Sequence, residues 1–224
     1  MKRPNRPKES LVSNMFQISI NPDEIAALPL AAFPGEIVIV DDAGTVAQAV
    51  RYLKRQKVIG FDTETRPTFS PEQHSSGTAI LQLSGSGKAF LFRLKKCGLP
   101  RALAAVLANP CIVKVGAATL DDIRGLQKII KFAAKNFVDL QNVVWEYGIR
   151  DKSVKKMAAI ILGVKISKAQ QLSNWEAEHL SEGQQKYAAT DAWICREMYL
   201  KLLASEKHPL TPEQLHPERY QDNG

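Results

Sequence analysis

Three short segments contain residues whose types and spacing could bind divalent metal ions. They are FDTET at 61–65, VGAATLDD at 115–122 and YAATD at 187–191. Their carboxylates offer only oxygen ligands, which suit hard cations such as Mg²⁺ or Mn²⁺. Two such ions held close together form the clamp that cleaves phosphodiester bonds by in-line displacement. The set therefore indicates metal-dependent phosphodiester chemistry.

The first segment predicts a pair of acids on one face of a strand. Asp62 and Glu64 lie two residues apart within the strand pattern KVIGFDTET, so both side chains leave the same face. Two acids side by side repel each other unless a cation lies between them. The alternative is an edge strand with a solvated polar face, which the DxE pattern taken alone favours.

The second segment contains two acids, and helical periodicity selects between them. Asp122 shares its stripe with Leu126 and Ile129, whereas Asp121 aligns with Lys128. Asp122 is therefore predicted to point inward. An inward Asp in the first turn of a helix either binds a metal or is stabilised by free backbone amides, and the pattern leaves both roles open.

The third segment places a tyrosine and an acid one helical turn apart. Tyr187 and Asp191 share their stripe with Ile194 and Met198, so both polar groups are predicted to face the core. A Tyr and an Asp that hydrogen-bond to each other on a helix form a common structural motif. The YxxxD spacing alone therefore leaves a purely structural role open.

The order and local sequence of the three segments resemble the DEDDy family of 3′-to-5′ exonucleases. The likeness runs from about residue 58 to 203 and is greatest to the exonuclease domain of the Werner syndrome helicase, with ribonuclease D more distant. KNFVDL at 135–140 and SNW at 173–175 add to it. VGAATLDD departs from the family pattern in its Ala-Ala-Thr, where a glycine and a β-branched residue are frequent.

The resemblance implies a role for each candidate residue in a site with two metal ions, Mg²⁺ or Mn²⁺. By this resemblance, Asp62, Glu64 and Asp191 hold the ion that activates water, and Asp62 with Asp122 holds the ion at the leaving 3′ oxygen. Tyr187 orients the attacking water. The implied activity is release of nucleoside 5′-monophosphates from the 3′ end of a nucleic acid, with DNA preferred over RNA.

The charge of the chain suits a polyanionic partner. The formal net charge is +7, and neutralising four of the 23 acidic residues in a metal site leaves 19 against 30 lysines and arginines. Such an excess favours nucleic-acid binding, although a basic composition also serves solubility. Between residues 150 and 168, six basic residues accompany a single acid. Lys168 is the best candidate for a phosphate contact because it precedes SNW, which in the family lies near the substrate groove.

Trp175 within SNW is a second candidate for contact with nucleic acid, by stacking of its ring on a base. Packing in the core is the alternative, and the sequence favours it for Trp175 as for Trp145 and Trp193.

The elements around these segments predict an α/β fold of the ribonuclease H-like type. EIVIV at 36–40 and KVIGFDTET are strand patterns, and TAILQLS at 78–84 and KAFLFRL at 88–94 flank a Gly-Ser-Gly turn. The last three of these strands are predicted to form an antiparallel meander. From Leu99 onward, the alternation of helix and strand predicts parallel strands in a mixed sheet flanked by helices.

The chain is predicted to contain one exonuclease domain at residues 21–205. A flexible basic leader at 1–20 is expected before it and a C-terminal extension at 206–224 after it. The chain lacks a helicase and the extra helical domains of ribonuclease D, so we expect a stand-alone nuclease. A separately encoded helicase or repair protein is a possible partner.

Cysteine usage and hydropathy predict a cytoplasmic location. Cys97, Cys111 and Cys195 are odd in number and show no metal-binding spacing, which predicts buried thiols in a reducing compartment. The basic start is followed by no apolar signal segment, and no run reaches membrane-spanning length, so no membrane contact is expected.

Two alternatives to DNA exonuclease activity stay open at this level. A catalytically silent nucleic-acid-binding module would be indicated by loss of a metal carboxylate, and all four are present. A ribonuclease that trims RNA 3′ ends would use the same metal chemistry, because that chemistry cleaves both polymers.

Overall fold

The computed structural model describes residues 15–67 and 77–219 of the 224-residue chain. The strands are β1 Glu36–Val40, β2 Val58–Thr65, β3 Thr78–Ser84, β4 Lys88–Arg93, β5 Val113–Gly116 and β6 Phe137–Asp139. The α-helices are α1 Pro22–Ala27, α2 Ala43–Leu53, α3 Leu94–Cys97, α4 Arg101–Leu107, α5 Thr119–Ile129, α6 Leu140–Val143, α7 Val154–Leu162, α8 Glu182–Leu203 and α9 Pro212–Leu215. Short 3₁₀ turns cover Val144–Tyr147 and Pro217–Arg219.

The strands of the described residues form one mixed sheet in the order β1-β4-β3-β2-β5-β6. β2 pairs antiparallel with β3, and β3 pairs antiparallel with β4, which confirms the predicted meander. β1 joins β4 in parallel, and β5 and β6 add in parallel on the other side of β2. With helices on both faces, this is the predicted ribonuclease H-like arrangement.

Side chains that alternate along β2 reach two different helical layers. Phe61 packs in an apolar core with residues of α2, α4 and α5. Gly60 lies against α8 on the opposite face, where an added Cβ would stand 1.8 Å from the carbonyl oxygen of Ala192. Glycine is therefore required at position 60 for α8 to approach the sheet this closely.

This alternation decides where the residues of FDTET point. Asp62 and Glu64 are in phase with Gly60 and face α8. Thr63 is in phase with Phe61 and faces α5. The central strand therefore presents acids to one helix layer and a hydroxyl to the other.

Helix α8 has small side chains where it crosses the sheet. A capping box formed by Ser181 and Gln184 begins the helix. Ala188, Ala189 and Ala192 are completely buried where α8 packs on β2 and β3. Small residues at these positions allow the helix backbone to lie close to the strands, which brings the polar groups of YAATD to the sheet surface.

The two ends of the described chain pack on the domain. Ile20 is buried, and its amide donates to the Asp151 carboxylate at 3.0 Å. Leu210 is buried, and its amide donates to the Trp145 carbonyl at 3.0 Å. Residues 1–14 of the predicted leader and 220–224 of the predicted extension lie outside the described residues. The boundaries at 20 and 205 remain predictions.

The three cysteines differ in exposure. Cys195 is buried and Cys97 is half-buried, but Cys111 is exposed in the turn before β5. The prediction of a buried thiol is therefore wrong for Cys111, because the turn lies at the surface. Within the described ranges, no helix is long and apolar enough to cross a membrane.

Candidate active site

Three carboxylates from two elements converge between β2 and α8. Asp62 and Glu64 come from β2 and Asp191 comes from α8, and one oxygen of each lies within 4.8 Å of the others. All three side chains are partly buried. A compact set of oxygen ligands fits a hard divalent cation such as Mg²⁺ or Mn²⁺. The sequence prediction that these three acids share one site is consistent with this geometry.

The electrostatics of the cluster also fit a cation. Burial, reinforced by the charges of Asp191 and Glu64, raises the pKa of Asp62 well above its usual value. Burial and the charges of Asp191 and Asp122 raise the pKa of Glu64 to about 8. Burial raises the pKa of Asp191 to about 7. Among the described residues, the acids of the cluster thus repel one another, and a bound cation would relieve that repulsion.

Tyr187 lines the same cavity one helical turn before Asp191. Burial, with the charges of Asp191 and Glu64, raises the pKa of the Tyr187 hydroxyl well above its usual 10. The hydroxyl therefore stays protonated at neutral pH. It is available as a neutral hydrogen-bonding group, and it is unsuited to act as a base.

Trp175 packs against Tyr187. Its side chain is only 1% exposed, and its ring centroid lies 5.9 Å from that of Tyr187. The predicted stacking of Trp175 on a base has no open ring face here, and the structure shows the alternative core position instead. Trp145 differs from its predicted core role because 38% of its surface is exposed.

Lys168 lines the cavity, which has a volume of about 250 Å³. Its positive charge lowers the pKa of Asp191, opposing the effect of burial. Other members of the basic run make local contacts: Lys156 pairs with Asp151 at 2.9 Å, and Lys165 donates to the Ala26 carbonyl at 2.5 Å. The basic residues at 150–168 therefore do not form one surface. Of Lys156, Lys165 and Lys168, it is Lys168 that lines the cavity with the carboxylates.

Asp122 lies beside the cluster, on the α5 side of β2. Its Oδ1 accepts a hydrogen bond from Oγ1 of Thr63 at 2.5 Å. Asp122 does not belong to the group of described acids whose oxygens lie within 4.8 Å of one another. Its charge nevertheless raises the pKa of Asp62 and of Glu64. Three of the four predicted ligands are thus brought together, and the fourth lies within electrostatic reach.

The open edge of β2 explains how acids from two faces can approach one another. β2 pairs with β5 only from Val58 to Gly60, whereas it pairs with β3 as far as Thr65. Past Gly60, no described strand covers the β5 side of β2. The α5 and α8 faces meet at this edge, where Asp122 approaches from one side and Asp191 from the other.

The start of α5 is held by Asp139 at the end of β6. Its two carboxylate oxygens accept hydrogen bonds from the amides of Ala118 and Thr119, each at 3.0 Å. Ala118 has a φ of 57°, in the left-handed region that favours glycine. The Ala-Ala-Thr departure in VGAATLDD is therefore accommodated by the Asp139 carboxylate, which fixes the first turn that carries Asp122.

Sequence reasoning missed three residues that belong to the site or its support: Thr63, Gln82 and Asp139. Strict alternation along FDTET already places Thr63 opposite the acids. Gln82 is a polar residue within the apolar strand TAILQLS, and Asp139 ends the strand of KNFVDL. Each is a polar residue that the local pattern makes visible, but the residue that it contacts or opposes in the structure is distant in sequence.

Comparison with known proteins shows which family this chain belongs to. A model of the 3′-5′ exonuclease family matches residues 37–205. The chain belongs to the 3′-5′ exonuclease family. The resemblance inferred from the motifs is confirmed. The exonuclease match spans the sheet from Ile37 onward and all of α8, so it includes all four acids and Tyr187.

Two relatives of this exonuclease domain are mouse proteins. The chain is 33% identical over 184 residues to exonuclease 3′-5′ domain-containing protein 2 of Mus musculus, covering 75% of this chain and 28% of that protein. It is 31% identical over 185 residues to the bifunctional 3′-5′ exonuclease/ATP-dependent helicase WRN of Mus musculus, covering 78% of this chain and 13% of that protein. The chain thus spans between about an eighth and a quarter of the length of these relatives.

A solved structure supports the fold. The crystal structure of Escherichia coli RNase D, described as an exoribonuclease involved in structured RNA processing, superposes with a TM-score of 0.66. The match covers 83% of this chain and 49% of that chain at 21% identity. At this identity, the likeness establishes the exonuclease fold alone.

Proposed function

We propose that this chain is a metal-dependent 3′-to-5′ exonuclease that hydrolyses phosphodiester bonds at DNA 3′ ends and releases nucleoside 5′-monophosphates. The observation that carries the proposal is the Asp62, Glu64 and Asp191 cluster, whose oxygens lie within 4.8 Å of one another. Tyr187 and Lys168 line the same cavity. Membership of the 3′-5′ exonuclease family supports the same reaction class.

Two divalent cations, Mg²⁺ or Mn²⁺, are the proposed cofactors. Asp62, Glu64 and Asp191 would hold one, and Asp62 with Asp122 would hold the other. When bound, such ions lower the pKa of the attacking water and stabilise charge on the departing oxygen. The acids of the chain hold and space the cations, so no protein nucleophile is required.

Tyr187 orients the attacking water in this proposal. Its raised pKa keeps the hydroxyl protonated, so Tyr187 can donate to or accept from a water without removing its proton. Packing against the buried Trp175 ring restricts where the hydroxyl can point. Tyr187 thus contributes by positioning the water and not by removing a proton from it.

Lys168 provides the positive charge that contacts phosphate in this proposal. It lines the cavity with Asp191 and lowers the pKa of that acid. An ammonium group beside the carboxylates suits a phosphate of the terminal nucleotide. Binding that rests on phosphate contacts is expected to weaken steeply with salt and to depend little on base sequence.

The preference for DNA rests on likeness to the relative that combines an exonuclease with a helicase. The motifs FDTET, KNFVDL, SNW and YAATDA carry that likeness, and the identity is 31%. RNA 3′-end trimming is the competing outcome, since the carboxylate chemistry is the same for both polymers. The 2′-hydroxyl is the group on which discrimination must depend.

Matched DNA and RNA oligonucleotides, labelled at the 5′ end and digested with Mg²⁺ or Mn²⁺, test the proposal. We expect stepwise shortening from the 3′ end, with DNA degraded faster than RNA. Faster shortening of RNA would overturn the DNA preference, and internal cuts would overturn exonuclease action. The Asp62→Asn protein, purified in parallel, controls for contaminating nucleases, because its loss of activity assigns the cleavage to this chain.

A further inference from the structure

Thr63 connects the two sides of the site. Its backbone lies between Asp62 and Glu64 on β2, and its Oγ1 donates to Oδ1 of Asp122 at 2.5 Å. We propose that Thr63 is a positioning residue that orients the Asp122 carboxylate for the second of the two metal ions. This inference rests on the proposed two-ion function.

Asp122 stands apart from the other three acids. The other three acids are already grouped within 4.8 Å, and Asp122 is absent from that group of described residues. Its approach is from the α5 side, whereas Asp62 and Glu64 face α8. A contact behind a metal ligand orients it, so the Thr63 hydroxyl can direct the Asp122 carboxylate, which reaches the site from this other face.

The backbone of α5 is already fixed near Asp122. Asp139 holds the first turn through the amides of Ala118 and Thr119. One turn later, an added Cβ at Gly125 would stand 2.7 Å from Oγ1 of Thr78, so the helix lies very close to β3 there. The freedom that remains belongs to the Asp122 side chain, and the Thr63 hydroxyl restricts it.

Asp122 takes up the whole donor capacity of the Thr63 hydroxyl. Thr63 has one O–H donor, and that donor engages Oδ1 of Asp122. The second oxygen, Oδ2, keeps its full capacity as a metal ligand. Since Thr63 shares a strand with two other ligands, this bond also ties the position of Asp122 to theirs. Comparable contacts behind metal ligands change metal affinity by about 10- to 100-fold.

Titration calorimetry with Mn²⁺ on the metal-free protein tests the inference. We expect the unaltered chain to bind two ions. Thr63→Val, which keeps the shape but removes the hydroxyl, should retain the first ion and bind the second about 10- to 100-fold more weakly. Thr63→Ser, which restores a hydroxyl, should recover most of the second affinity. If Thr63 had only a structural role, Thr63→Val would lower the free energy of unfolding without selectively weakening the binding of the second ion.

Thr65→Val is the matched control, since it makes the same change on the same strand. Its Mn²⁺ isotherm should match that of the unaltered chain. Unchanged or tighter binding of the second ion by Thr63→Val would overturn the inference, the latter by showing that Thr63 holds Asp122 away from the metal. If Thr63→Val does not fold, Thr63→Ala is titrated and judged by the same outcomes.

Failure of the inference can be distinguished from failure of the proposed function. Fewer than two ions on the unaltered chain would overturn the two-ion site itself, and the inference with it. Two ions on the unaltered chain with an unchanged isotherm for the Thr63 variants would overturn the inference alone.

Discussion

Gln82 on β3 lies directly opposite Asp62 on β2, and its side chain is completely buried. Directly opposed residues on antiparallel strands project to the same face, with Cβ atoms about 5 Å apart. Within the described part of the chain, neither Oε1 nor Nε2 of Gln82 has a hydrogen-bond partner. A buried polar group left unpaired costs about 1–3 kcal/mol. Because Gln82 lies beside the acid shared by both proposed metal sites, we expect its amide to contribute to the site.

Replacing Gln82 by methionine should separate stability from function. Gln82→Met keeps a similar volume and removes the unpaired amide, so metal-free stability should stay equal or rise, by up to about 1–3 kcal/mol. Turnover should fall, because Asp62 loses a polar neighbour. Urea unfolding with a chelator and initial exonuclease rates measure the two effects. Ile80→Met, a change on the same face of β3, should leave the rate unchanged and is the control. If the rate of Gln82→Met is also unchanged, Gln82 contributes only to packing.

Removing either of two cluster acids should abolish turnover. Asp62→Asn or Asp191→Asn should lower the rate by several orders of magnitude while the fold persists, because each removes charge from the proposed metal clamp. The metal-free variants should also melt at higher temperature, since repulsion within the cluster is relieved. Asp121→Asn is the matched control, because that side chain is 92% exposed and pairs with Arg124. Near-normal activity in a folded Asp62→Asn protein would refute the assignment.

Tyr187→Phe should lower the catalytic rate and leave Mn²⁺ affinity nearly unchanged. The expected loss is about 10- to 100-fold, the value of a hydrogen bond to a charged or reacting group. Calorimetry and single-turnover rates together distinguish orientation of water from metal ligation. Tyr199→Phe, on the same helix, should change neither quantity. A large loss of Mn²⁺ binding would show that the tyrosine helps to hold the ion.

Metal-free stability should fall as pH rises from about 4 to 8. Folding raises the pKa of Glu64 from 4.5 to about 8 and that of Asp191 from 3.8 to about 7. Below about pH 4, both states are protonated and folding carries no penalty from these groups. As pH rises, the unfolded chain loses its protons first, so the free energy of unfolding decreases until the folded groups also ionise near pH 8.

Thermal unfolding with a chelator across this pH range measures the effect. Added Mg²⁺ or Mn²⁺ should raise the melting temperature most at the alkaline end, where protons no longer compete for the carboxylates. Glu64→Gln should flatten the pH dependence. A melting temperature that rises from pH 5 to 8 without metal would contradict the electrostatics described above.

Gly60→Ala should disturb the site by displacing α8. The added methyl would stand 1.8 Å from the Ala192 carbonyl oxygen, so α8 must move, and Tyr187 and Asp191 move with it. We expect a destabilisation of several kcal/mol, since overpacking here strikes backbone, together with weaker Mn²⁺ binding. Gly87→Ala is the control, because its added Cβ meets nothing within 4 Å. Normal Mn²⁺ affinity in a folded Gly60→Ala protein would contradict this coupling between Gly60 and the cluster.

Much of the site could be predicted from sequence because its patterns are local. The twofold alternation of a strand puts Asp62 and Glu64 on one face, and the helical repeat puts Tyr187 beside Asp191. The helical repeat also predicted the inward direction of Asp122, and the Gly-Ser-Gly turn at 85–87 predicted the hairpin of the meander. These relationships depend on backbone geometry within a few residues, so they hold whatever the rest of the chain does.

The family resemblance implied that these faces meet, but only the tertiary structure shows how they do. It places Asp191 with Asp62 and Glu64, and it places Asp122 across β2, bonded to Thr63. It also buries the Trp175 ring against Tyr187. These outcomes depend on strand order, on where β5 stops pairing with β2, and on how closely α8 can approach the sheet. Such contacts join residues between 12 and 129 positions apart, and a pattern confined to a few neighbouring residues carries no information about them.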